Sequence, residues 1–260
     1  MSSSDSLASR RPDRVRVLGV PIDLLTVNEL HEHLLRFVRA RARATVLHVN
    51  VHAINLAGRH PWFARILQDA DLVFCDGHGV MLGAWLLRQR LPVRITYADW
   101  TWQLAALCER EGLSLYLLGG RPGVAEAAAA RLRARHPRLQ IAGAHHGYFD
   151  RDPASDGSGA VVAAINAARP DILIVGLGMP IQEAWVAAHR VRIGSPVVLT
   201  AGAAFDYVSG RLRRPPRWMT AHGLEWLGRL IIEPRRLMGR YLIGNSVFLW
   251  RVLRDRLGRR

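Results

Sequence analysis

The chain has 260 residues, 50% of them hydrophobic and 22% charged, with a formal net charge of +15. This length and balance suit one packed α/β domain plus an appendage and exclude a disordered chain. Its two cysteines, Cys75 and Cys108, exclude a disulfide framework and a four-cysteine zinc site, and both read as buried thiols of a reducing compartment.

Every basic residue other than histidine is arginine, a bias that suits an anionic ligand because the guanidinium binds phosphate bidentately. From Arg211 to Arg260 there are 13 arginines against Glu225, Glu233 and Asp255, whereas the preceding 210 residues hold 23 arginines and 18 acids. A basic tail points to nucleic acid, an anionic membrane or a phosphorylated ligand. No run of about 18 apolar residues is free of charge, so no spanning helix is expected. Residues 1–14 are rich in Ser and Arg without an apolar stretch and read as a disordered leader, not a signal peptide.

Short apolar runs then alternate with helical patterns. The first run is Val15 to Val20. Thr26 and Glu29 form a capping box before an amphipathic helix reaching about Arg41. A second strand is expected over Thr45–Val51, a helix over Pro61–Gln68, a third strand over Asp71–Cys75 and a helix over Gly79–Arg88. A helix over Asp99–Arg110 precedes the strand Ser114–Leu118. Gly119 and Gly120 turn the chain, with Pro122 at the first position of an Ala-rich helix. Arg138–Ala144 reads as a strand, Asp150–Gly159 as a polar loop, Ala160–Ala168 as a helix, Asp171–Gly176 as a strand, Pro180–Arg190 as a helix and Pro196–Thr200 as the last strand. The alternation predicts a doubly wound, mostly parallel, Rossmann-like α/β sheet over residues 15–210. It breaks near Arg211, and residues 211–260 read as a helical, Arg-rich and Trp-bearing appendage.

Chemistry is expected where parallel strands end, because ligands of open α/β sheets sit at the carboxyl ends of their strands. Asp76, in Cys75-Asp76-Gly77-His78-Gly79, reads either as a carboxylate base in a cleft or as the N-cap of the next helix. Gly77 would let the backbone approach a substrate closely. In an extended strand His48, Asn50 and His52 would share one face, suited to hydrogen bonding a sugar. Gly119-Gly120-Arg121-Pro122-Gly123 and Gly176-Leu177-Gly178-Met179-Pro180 are glycine turns feeding helix N-termini, two anion sites that suit a nucleoside diphosphate. Ile181 stands where a third glycine would complete a dinucleotide fingerprint. Asp69-Ala70-Asp71 has the spacing of a metal-binding D-x-D motif but reads as a solvated turn, and His145-His146 suggests no role. In the tail, tryptophans and arginines on amphipathic helices suit a membrane interface or a packed helix pair.

Several blocks in fixed order carry a resemblance: the Asn50 segment, Asp76-Gly77-His78-Gly79-Val80, Arg94-Ile95-Thr96-Tyr97-Ala98-Asp99, Leu117 to Glu126, Gly147-Tyr148-Phe149, and Pro170-Asp171 through Gly176 to Glu183. The tail adds Arg214-Pro215-Pro216-Arg217-Trp218, Gly223-Leu224-Glu225-Trp226, Arg229-Leu230, Glu233-Pro234-Arg235-Arg236 and Arg240-Tyr241. With these, the chain from about Val15 to Leu253 resembles the bacterial TagA/WecG/CpsF glycosyltransferases, which include N-acetylmannosaminyltransferases of teichoic acid and enterobacterial common antigen synthesis.

The resemblance implies an inverting transferase that moves a hexose-type sugar (N-acetylmannosamine, glucose or glucuronate) from a UDP-sugar to a polyprenyl-diphosphate-linked glycan. It implies Asp76 as general base, Asn50 on a sugar, and Asp99 and Gln182 lining the same cleft. Tyr148 joins the expected substrate-binding residues with His48, Gly77, Gly119, Gly120 and Gly178. The appendage would close over the site, supply Arg214, Arg229, Arg236 and Arg240 to the diphosphate, and dock peripherally on the inner face of the cytoplasmic membrane in cell-surface polysaccharide synthesis. No metal or cofactor is implied. By analogy, a homo-oligomer would hide apolar tail surface until the membrane is met. The family often has Thr at the place of His48 and Gly at that of Tyr97, positions near the expected sugar site. The competing readings are a nucleotide-binding Rossmann oxidoreductase, which the missing third glycine opposes, and a basic nucleic-acid-binding module, for which no recognised motif is present.

Overall fold

A computed structural model describes residues 11–221 and 223–258, with the backbone alone at Arg217, Ala221 and Arg236. The expected leader lies outside the described residues up to position 10. Six parallel strands form the sheet, in the order β4 (Leu72–Cys75), β3 (Ala44–Val49), β8 (Val197–Thr200), β7 (Ile172–Gly176), β5 (Ser114–Gly119) and β6 (Gln140–His145). The doubly wound α/β class predicted from the alternation is the class observed.

Period-two alternation divides the strand side chains between the two faces. Val46, Phe74, Leu117, Ile174 and Leu199 enter one core with helices α1 (Val27–Arg39) and α5 (Tyr97–Glu111). Leu47, Val49, Val73 and Cys75 enter the opposite core with α2 (Val51–Arg59), α3 (Pro61–Asp69) and α4 (His78–Leu86). Both cysteines are buried free thiols. The capping box is formed: the Thr26 hydroxyl accepts from Glu29 N at 3.3 Å, and the Glu29 carboxylate accepts from Thr26 N at 2.7 Å.

Two sequence expectations fail locally. The run Val15–Val20 is not one strand of the sheet. It is split by a two-residue turn at Leu18-Gly19, both with positive φ, into the antiparallel hairpin β1 (Arg14–Val17) and β2 (Val20–Asp23). Asp23 is buried there, accepting from Arg14 at 2.7 and 2.8 Å and from Val73 N at 2.6 Å, which fastens the hairpin to the sheet. The expected strand Thr45–Val51 stops at Val49, because Asn50 caps α2, accepting from Ala53 N at 3.1 Å. His52 therefore sits on a helix and shares no strand face with His48.

Farther along, α6 (Val124–Arg135) starts behind the left-handed cap Gly123, so Pro122 lies before the helix. Ser155 caps α7 (Asp156–Ala168), which takes up the end of the expected polar loop. Helices α8 (Ile181–His189) and α9 (Ala204–Val208) follow β7 and β8. The tail carries α10 (Arg217–Ala221), α11 (Glu225–Ile232), α12 (Pro234–Met238), a π-helical turn (Gly239–Ile243) and α13 (Gly244–Gly258). Helix α13 packs on α2 and α4, with Phe248 and Val252 buried in the core beneath them.

Candidate active site

A cleft of about 890 Å³ opens at the carboxyl ends of the strands, with tail residues of α11, the π-helical turn and α13 forming its other wall. Asp76 leaves the end of β4, its backbone N donating to Val49 O at 2.9 Å, and its side chain lines the cleft. The cap of α4 is Gly77 and carries no side-chain hydrogen bond, so the Asp76 carboxylate is not consumed in capping. Burial pushes this carboxyl up to about 7; nearby Glu225 adds to the rise, while Arg94, Thr96 and Arg229 oppose it. A Cβ on Gly77 would lie 3.3 Å from the Asn50 Cβ, so glycine lets the loops after β3 and β4 touch.

His48, one residue before the end of β3, packs edge-on to Tyr97 with ring centroids 5.2 Å apart. Its Nδ1 meets the Thr200 carbonyl at 2.8 Å, and burial lowers its pKa to about 4. The Tyr97 hydroxyl is buried without a hydrogen-bond partner among the described residues, and burial raises its pKa well above the ordinary value. At the far end Gly120, Arg121, Gly178 and Tyr148 line the opening, the exposed Tyr148 ring 5.9 Å from the Arg151 guanidinium carbon.

From the tail, Glu225, Trp226, Arg229 and Arg240 face the same space. Arg229 stands over the Tyr207 ring at 5.6 Å. Its neighbour Glu225 forms an ion pair with Arg94 at 2.6 Å.

The sequence pattern of the Glycosyl transferase WecG/TagA/CpsF family matches residues 15–260. The chain belongs to this family. It is similar to N-acetylglucosaminyldiphosphoundecaprenol N-acetyl-beta-D-mannosaminyltransferases of Staphylococcus aureus. Those of strains NCTC 8325 and COL are 28% identical and that of strain MW2 27%, each over 92% of both chains.

Within this glycosyl transferase the expected site residues divide. His48, Asn50, Asp76, Gly77, Gly120, Tyr148, Gly178, Arg229 and Arg240 surround one cleft, and His52 joins them from α2. Asp99 does not: it lies on the outer side of α5, paired with Arg214, with its Oδ2 2.6 Å from Nη2. Gln182 is fully buried beneath the glycine loops instead of lining the cleft. Its Oε1 accepts from Gly178 N at 3.2 Å and from Gly202 N at 2.9 Å, while its Nε2 donates to Glu183 Oε1 at 2.8 Å. Gly119 also lies under the surface; at φ 147° its Cβ would strike the Gly176 carbonyl oxygen at 2.3 Å. The Arg236 side chain is outside the described residues. Asp71 is occupied structurally, accepting from Thr45 N at 2.7 Å, and is no part of the cleft. Among the described residues no cluster of three or more His, Cys, Asp or Glu side chains could hold a metal.

The cleft is also lined by residues that the sequence pattern does not single out: Arg94, Thr96, Arg121, Tyr207 and Glu225. Arg94 and Glu225 lie in separate segments of the sequence, and no local pattern pairs positions 131 residues apart.

Proposed function

We propose that this glycosyl transferase moves a hexose-type sugar from a UDP-sugar to a polyprenyl-diphosphate-linked glycan, with inversion, using Asp76 as general base. The observation that carries the proposal is the Asp76 carboxylate. It faces a cleft roomy enough for a sugar nucleotide, is not consumed by capping, and has its pKa pushed up to about 7, where a base both accepts a proton well and is ionised at neutral pH. The acceptor hydroxyl attacks the anomeric carbon on the face opposite UDP. Its proton passes to Asp76 as the new C–O bond forms. The bond to the β-phosphate oxygen breaks, and its electron pair leaves with UDP. Positioned general-base help is worth about 100- to 10,000-fold.

The departing diphosphate gains negative charge, and Arg229 and Arg240 are the tail cations on the cleft wall suited to meet it. Arg214, paired with Asp99 outside the cleft, is not assigned to it. The reaction is proposed to need no metal, because guanidinium groups supply that positive charge.

The acceptor class follows that of the similar Staphylococcus aureus enzymes, whose name gives N-acetylglucosaminyldiphosphoundecaprenol as acceptor. A lipid-linked acceptor calls for a protein that works at a membrane. Among the described residues no helix is long and apolar enough to cross one. Exposed apolar side chains on the tail, Ile231, Ile243 and Trp250 among them, lie beside its arginines, a combination suited to peripheral docking on the inner face of the cytoplasmic membrane.

The test is UDP release from a panel of UDP-sugars, in EDTA, with and without prenyl-diphosphate-linked N-acetylglucosamine. Acceptor-dependent release from one donor, lost in Asp76→Asn, is expected. Near-wild-type turnover by Asp76→Asn would remove the base assignment, and loss of activity in EDTA would remove metal independence.

A further inference from the structure

The Arg94–Glu225 ion pair joins the catalytic sheet to the appendage. Its 2.6 Å contact is sheltered, both side chains being 14% exposed, and both partners line the cleft that holds Asp76. The surrounding chain fixes the approach. Gly223, at φ 75°, makes the left-handed turn that brings the tail against His78. On the same 94–99 segment Asp99 pairs with Arg214, so two ion pairs of opposite polarity hold the tail against one stretch of chain.

Asp76 is the second carboxylate within reach of the Arg94 field, yet the guanidinium makes its ion pair with Glu225, and none of the described ion pairs within 4.0 Å includes Asp76. An arginine paired directly with Asp76 would hold it ionised and occupy the lone pairs that must receive a proton.

We infer that Glu225 is a positioning residue for the transfer reaction: by engaging Arg94 it keeps the guanidinium off Asp76, so the base is competent only when the appendage is docked. This rests on the reading of Asp76 as the base. It links two events that an enzyme with a water-sensitive donor must keep in order, closing the site and arming the base.

The charged and titratable groups facing Asp76 are Cys75 beside it, Tyr97 at the start of α5, Tyr207 on α9, Arg94, and Glu225 and Arg229 on α11. Of these, Glu225 raises the Asp76 carboxyl, and Arg94 and Arg229 lower it. Breaking the pair from either side therefore has opposite consequences. Glu225→Gln releases Arg94 to Asp76 and lowers its titration midpoint. Arg94→Gln leaves two carboxylates sharing the cleft and raises it. If Glu225 acts by holding Arg94, the fall caused by Glu225→Gln is largely lost in the Arg94→Gln background, whereas a charge acting on Asp76 only through space would lower the midpoint equally in either background.

The test is a ¹³C NMR titration of the Asp76 side-chain carboxyl in the full-length protein, assigned by its disappearance in Asp76→Asn. A wild-type midpoint near 7 is expected. It should fall by about one pH unit or more in Glu225→Gln and rise by about one in Arg94→Gln. Glu225→Asp, which keeps the charge, should stay near wild type. Midpoints that do not move, or a Glu225→Gln fall that is as large in the Arg94→Gln background as in wild type, overturn the inference; if Arg94→Gln fails to fold, Arg94→Met supplies the background. Because the titration needs no substrate, its outcome is independent of whether Asp76→Asn turns over, and that second measurement judges the base assignment alone.

Discussion

His48 Nδ1 lies 2.8 Å from the Thr200 carbonyl oxygen, a bond that ties the end of β3 to the end of β8. A carbonyl only accepts, so Nδ1 carries the proton, and Nε2 is left as an acceptor on a residue that lines the cleft. With its pKa lowered to about 4 by burial, the ring stays neutral in the physiological range.

The expected consequence is recognition of a sugar hydroxyl or amide N–H by His48. Changing His48 to Phe keeps an aromatic ring against Phe74 and Tyr97 but removes the acceptor. Steady-state kinetics should show KM for one substrate raised about tenfold, with kcat changed less, the size of one lost hydrogen bond. Unchanged KM for both substrates would remove His48 from recognition. A ¹⁵N NMR titration should show the Nδ1–H tautomer persisting down to about pH 4.

Gln182 and Glu183 make a second prediction, about stability. The Gln182 amide pins the loops after β7 and β8 together, and Glu183 sets the orientation of that amide. Burial raises the Glu183 carboxyl from 4.5 to about 7, and among the described residues its Oε2 has no hydrogen-bond partner. A raised carboxyl binds more protons folded than unfolded between those values. Its favourable contribution is therefore complete below about 4.5 and is lost as pH rises through about 7. Glu183→Gln, which can still accept from Gln182, should be more stable than wild type at pH 8 by up to about 3 kcal/mol, with the gap closing near pH 5. Urea denaturation at the two pH values measures it; a pH-independent difference would mean that Glu183 is not buried in its charged form.

These relationships also mark what could be read from the sequence. The parallel sheet was legible because short apolar runs recur at βα spacing, and the strand-end loops were legible because glycine and aspartate punctuate them. The hairpin over 14–23 was hidden because Val15–Val20 stays apolar across its turn. Helix α2 was hidden because Asn50 continues the alternation of β3 while serving as a cap. The Gln182 block suggests a place in the cleft, but the reach of its side chain under two loops depends on where β7 and β8 lie side by side. Pairing across the appendage, as in Arg94–Glu225, arises only once the tail folds back.

The seat of α13 gives a third prediction. Phe248 is 4% exposed, and Gly83 leaves the space for it, since a Cβ on Gly83 would lie 2.4 Å from the ring Cζ. The Asn55 Nδ2 donates to the Gly244 carbonyl at 2.7 Å at the start of the helix. Phe248→Ala should cost about 3–5 kcal/mol in thermal or chemical denaturation. Gly83→Val, which pushes the ring out by overpacking, should cost about 1–3 kcal/mol. A tail that unfolds separately would leave the main transition unmoved in both variants.

Deleting everything after Arg211 therefore confounds membrane docking with loss of core, and point changes on the outer face separate them. Trp250 and Ile243 are 58% and 63% exposed, and Trp250 lies under the Arg254 guanidinium at 4.7 Å. Neither side chain is in the buried core, so Trp250→Ser with Ile243→Ser should leave the denaturation midpoint nearly unchanged. Each exchange removes about 1–2 kcal/mol of apolar transfer to an interface. Co-sedimentation with vesicles of phosphatidylglycerol and phosphatidylcholine should then fall by about tenfold or more. Turnover should fall with it when the acceptor carries a full-length prenyl chain, and hold when the acceptor is a short-chain, water-soluble analogue. Equal loss on both acceptors would place these side chains in the closing of the cleft instead of on the membrane.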